Sequence, residues 1–151
     1  MQLKKKIPPV ILLLIHIVFV IILTRLPGPK LPSLLGDFLS VLTLAVALIF
    51  ALLALIKFKT EKTTVNPLQP EQATKLVTSG IYARSRNPMY LAMLCYLLCV
   101  IFWRNSIMAL IAVPSFVLLM NKLQIEAEEL ALTDLFGQQY REYCDRVRRW
   151  I

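Results

Sequence analysis

The sequence predicts an all-α, polytopic membrane protein with about four transmembrane helices and an amphipathic cytosolic helix near its C-terminus. Hydrophobic residues make up 58% of the 151 residues and charged residues only 17%. A soluble domain is about half apolar and about a quarter charged. The charges also fall between long apolar runs rather than inside them, which is typical of a chain that crosses a membrane several times.

The distribution of basic residues predicts the orientation of the chain. The net charge is +8, from 17 Lys and Arg against 9 Asp and Glu. In a four-span topology only Arg25, Lys30 and Arg104 fall on the outer side, and the other basic residues fall on the inner side. This bias follows the positive-inside rule and predicts that both termini are cytosolic, as in a bacterial inner membrane or its equivalent. No motif that reads DNA is present, so we expect no nucleic-acid partner.

The first two spans are predicted at about 8–26 and 34–56. The first follows Lys4–Lys6 and lacks a small-residue cleavage site, so we interpret it as an uncleaved span rather than a signal peptide. The proline-rich stretch 26–33 forms the outer connection. His16 lies inside the first span and is a functional candidate by default. A neutral imidazole bonded to a neighbouring helix is the simpler role, since no carboxylate or second ligand accompanies it.

A cytosolic loop at 57–87 precedes the third and fourth spans, which are predicted at about 88–103 and 106–123. Arg104 and Asn105 form a tight turn, so these two spans must be antiparallel neighbours, and Pro114 is expected to kink the fourth. The cytosolic helical tail is predicted at 124–151. Gly137 divides it, and a basic amphipathic helix from 138 to 151 is suited to lie on the membrane or to cover a site.

Polar residues at the cytosolic ends of the last two spans form the candidate site. Asn87 is expected to cap the third helix and Pro88 to occupy its first position, which leaves free N–H groups that favour an anion beside Arg84 and Arg86. The antiparallel fourth span brings Glu128 and Glu129 back to the same membrane face. The three cysteines have neither disulfide nor metal-binding spacing, so we predict no metal site.

Three segments resemble the isoprenylcysteine carboxyl methyltransferase and phospholipid methyltransferase superfamily. They are Leu76-Val-Thr-Ser-Gly-Ile-Tyr-Ala-Arg-Ser-Arg-Asn-Pro-Met-Tyr90, then Glu128-Glu129-x-x-Leu132, then Phe136-Gly137-x-x-Tyr140-x-x-Tyr143. The segments occur in the family's order, and the resemblance covers roughly residues 60 to 151. Each piece alone is a weak signal, but the combination is specific.

The resemblance implies an integral-membrane enzyme that uses S-adenosylmethionine. Glu128 and Glu129 are the candidate catalytic residues, since an amine acceptor would need a base, and Arg84, Arg86 and Gln124 are the candidate substrate contacts. The cofactor-binding residues that the resemblance implies are Thr74, Lys75, Leu76, Val77, Tyr82, Asn87, Pro88, Met89, Tyr90 and Glu128.

Two positions depart from the family pattern. Asn87 stands where a histidine is often found, so a role that needs a titrating imidazole is absent. Gln124 stands where isoprenylcysteine enzymes tend to have an arginine that contacts the substrate carboxylate, which weakens that particular assignment.

We therefore expect methyl transfer from S-adenosylmethionine to a lipid or lipidated acceptor. A prenylated cysteine carboxylate, an amino-headgroup phospholipid and another small amphiphile all remain open. One alternative is a membrane reductase with a nicotinamide cofactor, because sterol reductases share a similar C-terminal membrane architecture. The other is a non-enzymatic membrane scaffold.

Overall fold

A computed structural model describes residues 7–61 and 75–151, and this part of the chain is all-α, as predicted. The helices are α1 (Pro9–Leu23), α2 (Ser33–Glu61), α3 (Pro88–Trp103), α4 (Ala112–Met120), α5 (Glu126–Phe136) and α6 (Gln138–Arg146). Two 3₁₀ turns occur at Gly80–Ala83 and Met108–Ile111, and a π-helical turn, Asn121–Ile125, joins α4 to α5.

Two helices in the described ranges are long and apolar enough to cross a membrane, where the sequence predicted four spans. They are α2 and the continuous helical run Met108–Phe136, with 29 residues each. Helices α1 and α3 are apolar but have 15 and 16 residues. At ~1.5 Å per residue they measure about 22 and 24 Å, which is less than the ~30 Å of hydrocarbon. Prolines at their starts and turns at their ends limit their length.

Helix α3 is the centre of the bundle, since it packs against α1, α2 and α4. The residues that α2 buries are all small: Gly36, Ser40, Ala47 and Ala54. Small side chains let two helices approach closely. Ser40 Oγ lies 3.4 Å from Cys99 Sγ of α3, which joins the two helices at this interface.

His16 is buried in the interface between α1 and α4. Its Nδ1 lies 2.8 Å from the carbonyl oxygen of Leu12, and its Nε2 lies 3.3 Å from Ser115 Oγ on α4. The ring also meets the Phe116 ring edge to face at 5.2 Å. The expected contact with a neighbouring helix is therefore confirmed.

The end of the bundle away from the candidate site is held together by its connections. Asn105 adopts φ 55° in the turn after α3, a left-handed conformation that Asn tolerates better than most residues. The predicted tight turn is thus confirmed. Backbone hydrogen bonds from Leu31 N to Asn105 O (2.9 Å) and from Ile107 N to Pro29 O (3.2 Å) tie the α1–α2 connection to it.

Three local predictions were wrong. Residues 57–61 belong to α2 rather than to the loop, where an i,i+4 ion pair between Lys57 and Glu61 (2.7 Å) supports the last turn. Helix α6 ends at Arg146, and Val147 is extended (φ −126°, ψ 126°), so no helix reaches residue 151. Asn87 occupies the N-cap position before Pro88, but its side chain does not cap the helix.

Gly36 offers a test of the packing of α2 against the α3–α4 turn. A Cβ at this position would lie 1.6 Å from Asn105 Oδ1 and 2.8 Å from the backbone oxygen of Phe102. Moving the backbone to relieve this clash would cost free energy, so we expect Gly36→Ala to destabilise the protein by about 1–3 kcal/mol. The measurement is a lower thermal midpoint of unfolding in detergent.

Gly28→Ala is the matched control, because its Cβ would meet only the side chain of Met108, at 2.5 Å. That side chain is flexible and exposed, so it can move aside. Equal losses in the two variants would contradict the proposed difference in packing.

Candidate functional site

The segment from Lys75 to Asn87 lies between the end of α2 and helix α6 and contacts both. Val77 and Tyr82 pack in a buried cluster with Ala54 of α2, and the Tyr82 ring meets Phe58 edge to face at 5.1 Å. On the other side Tyr143 of α6 donates a hydrogen bond to the carbonyl oxygen of Tyr82 at 2.6 Å. The candidate segment is therefore held from two sides.

Tyr90 and Glu128 meet where the first turn of α3 faces the first turn of α5. The Tyr90 hydroxyl donates a hydrogen bond to Glu128 Oε1. Tyr82 is within the electrostatic influence of the same carboxylate: burial first, then the charges of Tyr143 and Glu128, raise the pKa of Tyr82 above its ordinary value. Two tyrosines and one carboxylate that are separated in sequence thus gather at one end of the bundle.

Glu129, the second residue of the glutamate pair, faces two arginines. Arg149 donates to both of its carboxylate oxygens, from Nε at 3.1 Å and from Nη2 at 2.6 Å. Arg86 Nη2 lies 3.1 Å from Oε1, and another nitrogen of the same guanidinium contacts Cys144 Sγ. The hydrogen bond to Glu129 raises the pKa of Arg149. The adjacent glutamates therefore have different surroundings, a tyrosine for one and guanidinium groups for the other.

The side-chain amide of Asn87 forms a hydrogen bond with the C-terminal segment rather than with α3. Asn87 Nδ2 donates to the carbonyl oxygen of Arg149 at 2.9 Å, and its backbone N–H donates to Ser85 Oγ at 3.2 Å. The Nδ2 hydrogen bond holds the amide toward the C-terminal segment, and the Asn87 side chain makes no capping hydrogen bond to α3, so the capping prediction was wrong. Pro88 occupies the first position of α3 as predicted.

The other predicted site residues are spread more widely. Thr74 lies outside the described residues. Lys75 forms an ion pair with Glu61 at the end of α2, and Arg84 is exposed after the 3₁₀ turn. Gln124 is fully buried in the π-helical turn, where its Nε2 donates to the carbonyl oxygen of Ile7 and its Oε1 has no partner within the described residues.

Two predicted residues lie on the hydrophobic side of the site. Leu76 packs against the cluster of Tyr140, Tyr143 and Val147. Met89 packs against Val77 and Tyr82 and also lines a cavity of about 240 Å³ between α1, α2 and α3. The cavity is surrounded by apolar side chains together with Tyr96: Leu13, Leu44, Ala47, Leu48, Ala51, Leu55, Met89, Ala92 and Met93.

Sequence reasoning missed Arg149 and Trp150 as members of the site. Trp150 Nε1 donates to Asn121 Oδ1 in the π-helical turn at 3.1 Å. The sequence places both residues in a basic amphipathic helix from 138 to 151 that lies on the membrane or covers a site, and it indicates no individual contact for either. The doublet of Arg148 and Arg149 next to a tryptophan was the only local signal, and it does not specify a partner 20 residues upstream.

This arrangement defines an all-α protein of membrane type, with a cluster of tyrosine, glutamate and arginine side chains at one end of its bundle. The family model described as phospholipid methyltransferase matches residues 35–139, well over half of the chain. The chain belongs to the phospholipid methyltransferase family, which confirms the resemblance seen in its motifs. Membership indicates a membrane methyltransferase that acts on lipid-like substrates.

One relative is a shorter chain. An uncharacterized protein of Haemophilus influenzae is 41% identical over 63 residues, which are 42% of this chain and the whole of that relative. No solved structure matches the chain significantly.

The buried tyrosines of the site predict a loss of stability in alkali. Burial holds the pKa of Tyr82, Tyr140 and Tyr143 above the ordinary value near 10. The unfolded chain loses these protons near pH 10 while the folded protein keeps them. The free energy of unfolding should therefore fall as pH rises above ~10, by up to about 1.4 kcal/mol per pH unit for each tyrosine.

Tyr143→Phe isolates one of these contributions. Loss of its hydrogen bond to Tyr82 lowers stability at every pH, but the decrease above pH 10 should be less steep than in the wild type. Denaturant titrations between pH 8 and 11 measure both effects, and the other ionisable groups cancel because both proteins contain them. Parallel pH profiles would show that Tyr143 does not contribute in this way.

Proposed function

We propose that the protein transfers a methyl group from S-adenosylmethionine to a lipid or lipidated acceptor. The contact between Tyr90 and Glu128 is the observation that supports this proposal most directly. It joins two motifs that are 38 residues apart, and it does so at the end of the bundle where the third and fourth spans were expected to converge.

The side chains at this end fit the chemistry of the cofactor. S-adenosylmethionine presents an ammonium, a carboxylate, ribose hydroxyls and a flat adenine, and when bound it supplies a methyl group on a positively charged sulfur. The Glu128 carboxylate suits the ammonium or the ribose hydroxyls, and the rings of Tyr82 and Tyr90 suit the adenine or the sulfonium. The first N–H groups of α3 lack intrahelical partners and favour the carboxylate.

The chain would contribute binding, alignment and exclusion of water rather than an elaborate proton relay. Tyr82 and Tyr90 are both buried, so they can form the water-excluding side of the site, and Tyr90 orients the Glu128 carboxylate. An acceptor that is already an anion needs no base. An amine acceptor must first lose a proton, and Glu128 is then the carboxylate in position to take it.

The apolar cavity supports the proposal that the acceptor carries a hydrocarbon chain. Tyr96 is the only one of the described lining residues that carries a hydroxyl, and the others are apolar. Met89, at one end of the cavity, directly precedes Tyr90. An amphiphile could therefore place its chain between α1 and α2 while its headgroup lies beside Glu128. This proposal includes prenylated cysteine carboxylates and amino-headgroup phospholipids alike.

The proposed topology retains four spans with both termini cytosolic. Helices α1 and α3 are shorter than the hydrocarbon thickness, but local thinning of the bilayer accommodates short spans at a modest cost in free energy. The inner position of most basic residues supports the same orientation.

Replacement of Glu128 tests the cofactor site. We expect Glu128→Ala to weaken binding of S-adenosylhomocysteine, the demethylated product, by about tenfold or more, since a lost charged hydrogen bond costs ~1.5–3 kcal/mol. Isothermal titration calorimetry in detergent measures the affinity.

Glu126→Gln is the control, because Glu126 is exposed on the same helix. Binding of NADPH by the wild type would favour a reductase instead. Normal product binding by Glu128→Ala would refute the assignment of Glu128 to the cofactor site.

Filling the cavity tests the route of the acceptor. Ala51 lines the cavity, so Ala51→Leu should raise the KM for a long-chain acceptor by about tenfold, equivalent to ~1.4 kcal/mol, and leave product binding unchanged. Ala45→Leu makes the same change on an exposed face of α2 and should have no effect. An unchanged KM in Ala51→Leu would exclude this cavity as the chain site. A screen of lipid acceptors with radiolabelled methyl donor supplies the substrate for this assay.

A further inference from the structure

The last residues of the chain cross the start of α3. After α6 ends, the non-helical residues 147–150, which we call the C-terminal strap, begin with Val147 in an extended conformation. The backbone N–H of Arg86 donates to the carbonyl oxygen of Arg148 at 3.1 Å, and Asn87 Nδ2 donates to that of Arg149 at 2.9 Å. The strap is thus bonded to the two residues that immediately precede α3.

The strap is also bonded to the opposite wall of the site. Arg149 forms a two-point contact with Glu129 at 3.1 and 2.6 Å, and Trp150 donates to Asn121 at 3.1 Å. Such paired hydrogen bonds between guanidinium and carboxylate are among the stronger polar contacts in proteins. Because one wall carries Tyr90 and the other carries Glu128, the strap bridges the two halves of the proposed cofactor site.

Arg86 closes the network. Its Nη2 lies 3.1 Å from Glu129 Oε1, so one carboxylate holds an arginine from each side of the site. The side chains of Arg86, Glu129 and Arg149 are 14%, 19% and 31% exposed, which protects the network partly from screening by solvent and salt. Both carboxylate oxygens of Glu129 are thus in contact with guanidinium groups.

We propose that Glu129, Arg86 and Arg149 form a latch that holds the C-terminal strap across the cofactor site and slows the exchange of cofactor. Glu129 and Arg149 are then positioning residues: they act through the placement of Asn87, Tyr90 and Glu128 rather than on the reacting atoms. This inference rests on the proposed function for the identity of the cofactor. The position of the strap itself does not depend on it.

The first measurement follows the strap without any ligand. The chain has two tryptophans, so Trp103→Phe leaves Trp150 as the sole tryptophan, which can be excited selectively over the tyrosines. Trp103 is exposed at the far end of α3. In that background Arg149→Gln should shift the Trp150 emission to longer wavelength and increase its quenching by iodide. Arg148→Gln is the control, because the exposed Arg148 contributes only its backbone carbonyl to the contacts of the strap.

The second measurement follows the cofactor product. Arg149→Gln should release S-adenosylhomocysteine about tenfold faster than the wild type and raise the KM for S-adenosylmethionine, while kcat at saturating cofactor changes little. Glu129→Gln removes the same contact and should also release the product faster. Arg149→Lys keeps the charge but loses the two-point contact, so its dissociation rate should be intermediate. Arg148→Gln should match the wild type.

Each alternative has its own outcome. If Glu129 is catalytic, Glu129→Gln will lower kcat at saturating cofactor. If the strap has only a structural role, Arg149→Gln will change the Trp150 fluorescence without faster dissociation of the product. Either result overturns the latch. If the wild type binds no S-adenosylhomocysteine, the proposed function fails. If it binds and Arg149→Gln releases the product at the wild-type rate, only the latch fails.

Discussion

The hydrogen bond from Tyr90 to Glu128 is the contact on which the candidate site depends. It connects the first turn of α3 with the first turn of α5. Without it the buried Tyr90 hydroxyl would lose this partner, and a buried polar group is costly when unpaired. The same contact supplies the mixture of aromatic surface and negative charge that the proposed cofactor requires.

Two features of the bundle make that contact possible. The turn at Arg104 and Asn105 forces α3 and α4 to run side by side, so the start of one helix lies near the end of the other. The π-helical turn Asn121–Ile125 then separates α4 from α5. An additional residue in one turn rotates the following residues by ~100° around the helix axis. Both Asn121, which holds Trp150, and the buried Gln124 lie in this turn.

Predictions from the sequence succeeded where neighbouring residues control the structure. The bounds of α3 agree with the predicted third span, because Pro88 starts the helix and the turn at Arg104 and Asn105 ends it. Predictions failed where contacts with distant residues orient a side chain. Asn87 has a strong local preference for capping, yet its amide donates to Arg149 instead. The pairing of Glu129 with Arg149 could not be predicted either, since long side chains at 20 residues' separation have no sequence signature.

The composition, the apolar runs and the motifs of the chain were enough to establish an all-α protein, its family and the residue types of the candidate site. These properties depend on local preferences and on hydrophobicity, which are present in the linear sequence. The packed helices were needed to show which partner each polar group takes: Tyr90 for Glu128, two arginines for Glu129, and the strap for Asn87. Hydrogen bonds and ion pairs require groups to lie within a few ångströms, and those distances are set by how the helices pack.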